Sequence, residues 1–208
     1  MKAAIVWIGC FLLTFLASCI IIGIKGTHEV ALPSEFPPEA IVASLTFDGT
    51  VEDQSMYGVN GVPVSVRYRP GKVGRGLGLT GKTSSYVYFP DQEHYHIFEP
   101  TVEAWIKLEG IGPCNTIVSE NIQGADDDAK GFVLDVEGGR VRFAIGDDTR
   151  DWKVVTGITE LSLHTWYHVV GVFHNGYLKV FVNGKLDGFS QVGPVNISYT
   201  PKIRTGPN

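Results

Sequence analysis

From Ile41 onward apolar residues fall at alternate positions in short runs, and glycine or Asn-Gly punctuation recurs every 8 to 12 residues or so. No stretch of ten or more residues carries the i, i+3, i+4 spacing of a helix, so the pattern predicts strands. The predicted strands are Ile41 to Phe47, Tyr86 to Phe89, Thr101 to Leu108, Thr116 to Glu120 and Gly131 to Val136. They continue with Arg140 to Ile145, Val169 to Phe173, Tyr177 to Val182 and Lys185 to Phe189. So many short strands are covered most simply by two antiparallel sheets packed face to face.

The period is clearest near the C-terminal end. Leu178, Val180 and Val182 fall on one face, and Tyr177, Lys179 and Phe181 on the other, as in a strand whose second face is partly covered. Asn175-Gly176 and Asn183-Gly184 suit two-residue type I′ turns, where both residues take positive φ, and they predict a three-stranded meander. Gly138-Gly139 predicts a further hairpin. His164, His168 and His174 fall at strand starts and turns of this region, which reads as structural use of histidine.

The N-terminus follows another pattern. Ala3 to Ile24 carries no charge, and about 20 apolar residues suffice to cross a bilayer as a helix. Three readings follow: an uncleaved signal-anchor or transmembrane helix, a lipoprotein signal and a cleaved secretion signal. Leu16-Ala17-Ser18-Cys19 resembles the lipoprotein box and makes Cys19 the lipidation candidate, although Ile20 to Ile22 follow where such proteins turn polar. The run is longer than the ~7 to 15 residues of an ordinary signal core, and no clear small-x-small site follows it. Residues 1–25 are therefore expected to meet a membrane through residues 3–24. Residues 26–39, with Pro33, Pro37 and Pro38, read as an extended linker. Residues 40–208 form the globular unit, outside the cytoplasm at a cell surface or in a periplasm.

Composition narrows the partners. A net charge of -5 and the absence of any Lys and Arg run exclude a nucleic-acid surface. Of three cysteines, Cys10 and Cys19 lie in the apolar run, so Cys114 stands alone in the globular unit. No disulfide or zinc cluster follows from it.

An ordered series of short motifs adds a resemblance. Leu45-Thr46-Phe47-Asp48-Gly49, Asp53-Gln54-Ser55 and Asn60-Gly61 are followed by Pro70-Gly71-Lys72-Val73-Gly74-Arg75-Gly76-Leu77-Gly78-Leu79 and Tyr86-Val87-Tyr88-Phe89-Pro90. Then come Thr101-Val102-Glu103-Ala104-Trp105-Ile106-Lys107, Trp166-Tyr167-His168-Val169-Val170 and Leu178-Lys179-Val180-Phe181-Val182-Asn183-Gly184-Lys185. In this order they resemble the laminin G-like domains of the concanavalin A-like lectin and glucanase superfamily, over most of Ile41 to Asn208. The resemblance implies an all-β, antiparallel two-sheet jelly-roll sandwich, in which Trp166 fills core. It also implies a binding role for carbohydrate or protein ligands.

Two departures from the family pattern carry expectations of their own. Members close with a further strand that pairs with the opening one, and it is not found before Asn208. An unpaired edge near Ile41 to Phe47 is then expected, in a truncated chain or one whose partner supplies the strand. The family's calcium is held partly by the first loop, which here has lost several polar residues, leaving Asp48, Asp53 and Asn60 as a half-site.

Catalysis finds no support. The Glu-x-Asp-x-x-Glu motif of the β-sandwich glucanases is missing, and Asp135 and Glu137 read as a solvated hairpin end. Asp126 to Asp128 and the acidic residues of 147–151 read as solvated loops, and Asn196-Ile197-Ser198 as a glycosylation acceptor pattern. No catalytic residue is assigned. Tyr86, Tyr95 and Trp152 are the aromatic candidates for stacking on a ligand, with Tyr88 expected in the core and Tyr95 on an exposed loop. The expected function is a membrane-tethered, non-catalytic binding module. Its alternatives are a glycan-active enzyme of the same superfamily and a truncated or structural surface protein.

Overall fold

A computed structural model describes residues 41–79, 85–90, 92–112, 115–120, 129–147 and 151–199, and the backbone of residues 3–6 and 15–22. The first strands in chain order are β1 (Ala3–Val6), β2 (Phe15–Ile22), β3 (Ala43–Leu45), β4 (Val62–Val64), β5 (Arg67–Pro70), β6 (Arg75–Leu79) and β7 (Tyr86–Pro90). After a 3₁₀ turn at Glu93–Tyr95 come β8 (Thr101–Leu108), β9 (Asn115–Ser119), β10 (Lys130–Glu137) and β11 (Arg140–Asp147). The last are β12 (Lys153–Thr156), β13 (Trp166–His174), β14 (Tyr177–Val182) and β15 (Lys185–Gln191).

The large sheet has the order β15-β14-β13-β8-β2-β6-β5, with β3 also paired to β2, and a second sheet runs β12-β11-β10-β9. A small sheet, β1-β7-β4, completes the described pairing. All of these ladders are antiparallel. The meander forms as expected: Asn175 and Gly176 have φ of 49° and 77°, Asn183 and Gly184 of 50° and 76°, the positive values that two-residue type I′ hairpins require.

The core lies between the two larger sheets. Val102, Ala104, Ile106 and Leu108 of β8, with Leu178 and Val180 of β14, meet Phe132, Leu134, Phe143 and Ile145 of β10 and β11, and all of them are buried. Gly171 of β13 marks a close approach of the two sheets, because a Cβ there would lie 2.4 Å from the Phe143 ring. A bare backbone at Gly171 lets that ring come close to the backbone of the opposite sheet.

Of the run expected as one apolar helix, the described pieces are strands. β1 pairs with β7, and β2 lies between β8 on one side and β6 and β3 on the other. The remainder of the run, the whole of the expected linker and residues 200–208 lie outside the described residues, as do Cys114 and Asp126 to Asp128. The edge expected to be open at Ile41 to Phe47 is paired over Ala43–Leu45, by Ile20 to Ile22. Among the described residues no helix is long and apolar enough to cross a membrane.

Candidate functional site

The three residues expected as a calcium half-site organise the first loop. Asp53 is 7% exposed, and its Oδ1 accepts hydrogen bonds from the backbone N–H groups of Ser44 (2.8 Å) and Ser55 (2.9 Å). Its Oδ2 accepts from Ser55 Oγ (2.7 Å) and the Val59 N–H (3.2 Å). A carboxylate has about four lone-pair sites, so this one is fully used. Asn60 turns its Oδ1 to the Asp53 N–H at 3.0 Å. Asp48 Oδ1 accepts from the Arg75 N–H at 2.9 Å, joining the loop to β6. Calcium at Asp53 would have to displace bonds that hold β3 to the loop. Among the described residues no group of three or more His, Cys, Asp or Glu is placed to hold a metal.

The aromatic candidates are dispersed. Tyr86 and Tyr88 are half-buried on the outward side of β7, whose inward residues Val87 and Phe89 enter the core, so Tyr88 is not the core residue expected. Tyr95 is not on an exposed loop either. The 3₁₀ turn directs it inward, where it is 4% exposed and its hydroxyl has no partner among the described residues. Burial, and secondarily the charge of Asp53, push its pKa well above the ordinary tyrosine value. Trp152 is half-buried just before β12. Among the described residues no ring contact joins any two of Tyr86, Tyr95 and Trp152. Cys19, the lipidation candidate, falls within β2 opposite Trp105.

Asp135 is not solvated as expected. It is 1% exposed and held by Arg142, with Nε 2.9 Å from Oδ1 and Nη2 2.5 Å from Oδ2, while Glu137 joins the same guanidinium at 3.0 Å. That fork satisfies the buried charge and commits the carboxylate to structure.

A more organised cluster lies on the outer face of the large sheet, at the strand positions between the core residues. Antiparallel register sets Trp166 opposite Lys107, His168 opposite Trp105, and Val170 opposite both Glu103 and Phe181. Both tryptophans are half-buried; Trp166 therefore belongs to this face and not to the core. Lys107 Nζ lies 5.3 Å from the Trp166 ring centroid, and Lys72 Nζ, from the β5–β6 turn, lies 4.7 Å from that of Trp105. Each is a cation–π contact of roughly 0.5–2 kcal/mol. The His168 ring is tilted against Trp105 at 5.4 Å and its Nε2 lies 3.0 Å from Glu103 Oε2. Glu103 is 6% exposed, and its Oε1 has no hydrogen-bond partner among the described residues. A buried carboxylate oxygen without a donor is costly and uncommon in a structural role.

Glu103 is the one carboxylate on the outer face of β8, β13 and β14. Lys179 and Tyr177 share that face, and Phe189, 56% exposed, stacks on Tyr177 at 5.3 Å. The face thus offers two ammonium-capped indoles, a band of apolar side chains and a single buried acid. The sequence did signal these positions, since period two in Thr101 to Lys107 puts Glu103, Trp105 and Lys107 on one side. The register that brings Trp166 and His168 beside them was not legible.

The description "Concanavalin A-like lectin/glucanases superfamily" belongs to the family model, Laminin_G_3, that matches residues 80–206. No curated protein matches the sequence. Among solved structures, the binding domain of Paraclostridial Mosquitocidal Protein 1 is similar, with a TM-score of 0.56 at 13% identity, over 88% of this chain and 43% of that one. The structure described as HCR/D-Sa-GBL1/C gives 0.51 at 16% identity, over 71% of this chain and 38% of that one. These likenesses bear on the fold, and this chain spans less than half the length of either structure. The family match covers more than half of the sequence, and the chain belongs to the laminin G-like family of the concanavalin A-like lectin/glucanases superfamily.

Proposed function

We propose that the protein is a non-catalytic binding module, tethered to a membrane with its sandwich outside the cytoplasm, and that carbohydrate or protein ligands dock on the outer face of the large sheet. The observation that carries this reading is the Trp105–His168–Glu103 cluster with Lys72 above it. It combines a half-buried aromatic surface and ammonium groups with a buried acid that holds the His168 ring beside Trp105. Ligand sites typically pair apolar surface with a few polar groups in this way.

The enzyme alternative needs two carboxylates flanking one bond, about 5 to 9.5 Å apart. The outer face of β8, β13 and β14 supplies one, and its nearest partner is a histidine, which favours recognition over glycoside hydrolysis. The mosquitocidal-protein binding domain similar in fold is consistent with a binding role but is too remote in sequence to supply a ligand. Tryptophan fluorescence, titrated with a panel of neutral and acidic oligosaccharides, tests the reading. A saturating change that Trp105→Ala weakens about tenfold or more supports it, whereas binding indifferent to Trp105 and Trp166 moves the site elsewhere.

A further inference from the structure

Strand β2 occupies a seat in the interior of the large sheet. On one side it pairs with β8 from Phe15↔Leu108 to Ile22↔Val102, with a bulge between Ala17 and Cys19. On the other it pairs with β6 through Phe15 to Ala17 and with β3 through Ile20 to Ile22. Among the described residues neither β6 nor β3 forms a ladder with β8, so β2 alone joins the two parts of this sheet. The flanking residues Ala43, Leu45, Leu77, Leu79, Ala104 and Ile106 are all 2% exposed or less. An empty seat would leave the facing N–H and C=O groups of three strands unpaired inside the molecule.

The occupant has a second environment open to it. Phe15 to Ile22 belongs to the uncharged run of residues 3–24, long enough to cross a bilayer. A helix in lipid satisfies its backbone internally, whereas β2 takes its partners from β8, β6 and β3. No residue can do both. We infer that the seat between β8 and the β3/β6 pair is a strand-accepting site with Phe15–Ile22 as an exchangeable occupant, and that entry of this segment into a bilayer opens it. The open seat fits another extended, largely apolar segment of about eight residues, antiparallel to Thr101–Leu108. Because Ile21 and Cys19 are the register partners of Glu103 and Trp105, the exchange alters one flank of the proposed ligand face. The inference rests on the reading of residues 3–24 as membrane-entering.

Hydrogen–deuterium exchange on the full chain tests it, free and with phosphatidylglycerol/phosphatidylethanolamine vesicles, with co-sedimentation reporting binding. Without lipid, amides of β8 and β6 should be protected to the same degree as the β10–β11 hairpin. On vesicles they should exchange at least tenfold faster while the hairpin is unchanged. β8 amides unprotected without lipid would overturn the assignment of the seat. A chain that sediments with vesicles yet keeps β8 protected would overturn the exchange and leave the membrane reading standing. A chain that stays off the vesicles with β8 protected would overturn both.

Discussion

Asp53 shows how a side chain can suggest one chemistry and perform another. Its four accepted hydrogen bonds tie the first loop to β3. Hydrogen bonds to a charged group contribute about 1.5–3 kcal/mol each and are not additive. Asp53→Ala should therefore lower stability by at least about 2 kcal/mol, read by urea unfolding, and do so with or without calcium. A loss confined to calcium-containing buffer would return the residue to metal binding. Tyr95 and Tyr199 make a different expectation. Burial first, then the charges of Asp53 and Glu120 respectively, raise both pKa values. Above about pH 10 the unfolded chain releases these protons while the folded chain keeps them, so it is the native state that binds more protons and stability falls as pH rises. Denaturant midpoints measured between pH 8 and 11.5 should drop beyond pH 10. Tyr95→Phe should shrink the drop and, by removing a hydroxyl unpartnered among the described residues, raise stability at pH 7 by roughly 1 kcal/mol. A steeper drop in the variant would refute this. The sequence pattern put Tyr88 in the core and Tyr95 on an exposed loop, the reverse of what is found, because the burial of a loop tyrosine depends on what the loop folds against.

At the level of elements, legibility followed the strength of the period. Thr101–Leu108 and Tyr177–Val182 carry uninterrupted alternation and form strands with the expected bounds. The β4 strand (Val62–Val64), β5 (Arg67–Pro70) and β6 (Arg75–Leu79) went unread because proline, arginine and glycine interrupt them. Their pairing comes from neighbours distant in sequence. Hairpins fared better, because a positive φ at two successive residues restricts sequence sharply. Contact between the sheets was invisible in the pattern. Nothing near Gly171 announces that Phe143 will lie against it. Gly171→Ala would put a methyl group 2.4 Å from that ring, and overpacking of this kind costs typically about 1–3 kcal/mol. A melting temperature unchanged by the substitution would contradict the observed approach of β13 to β11.

Over the whole molecule, the sandwich turns one face of its large sheet inward to the core and presents tryptophan, lysine and one buried acid on the other. The inward face was legible as alternate apolar residues. The outer cluster required the β8–β13 register, which joins residues 59 to 71 positions apart. The most direct measurement is a Kd for the best ligand of the oligosaccharide panel, compared between the native chain, Trp105→Ala and Trp166→Ala, with melting temperatures taken alongside. Loss of about tenfold or more in affinity in both variants, roughly 1.4 kcal/mol or more each, with folding retained, is the expected result. Folded variants that bind as tightly as the native chain would show that the outer face is not where this protein meets its ligand.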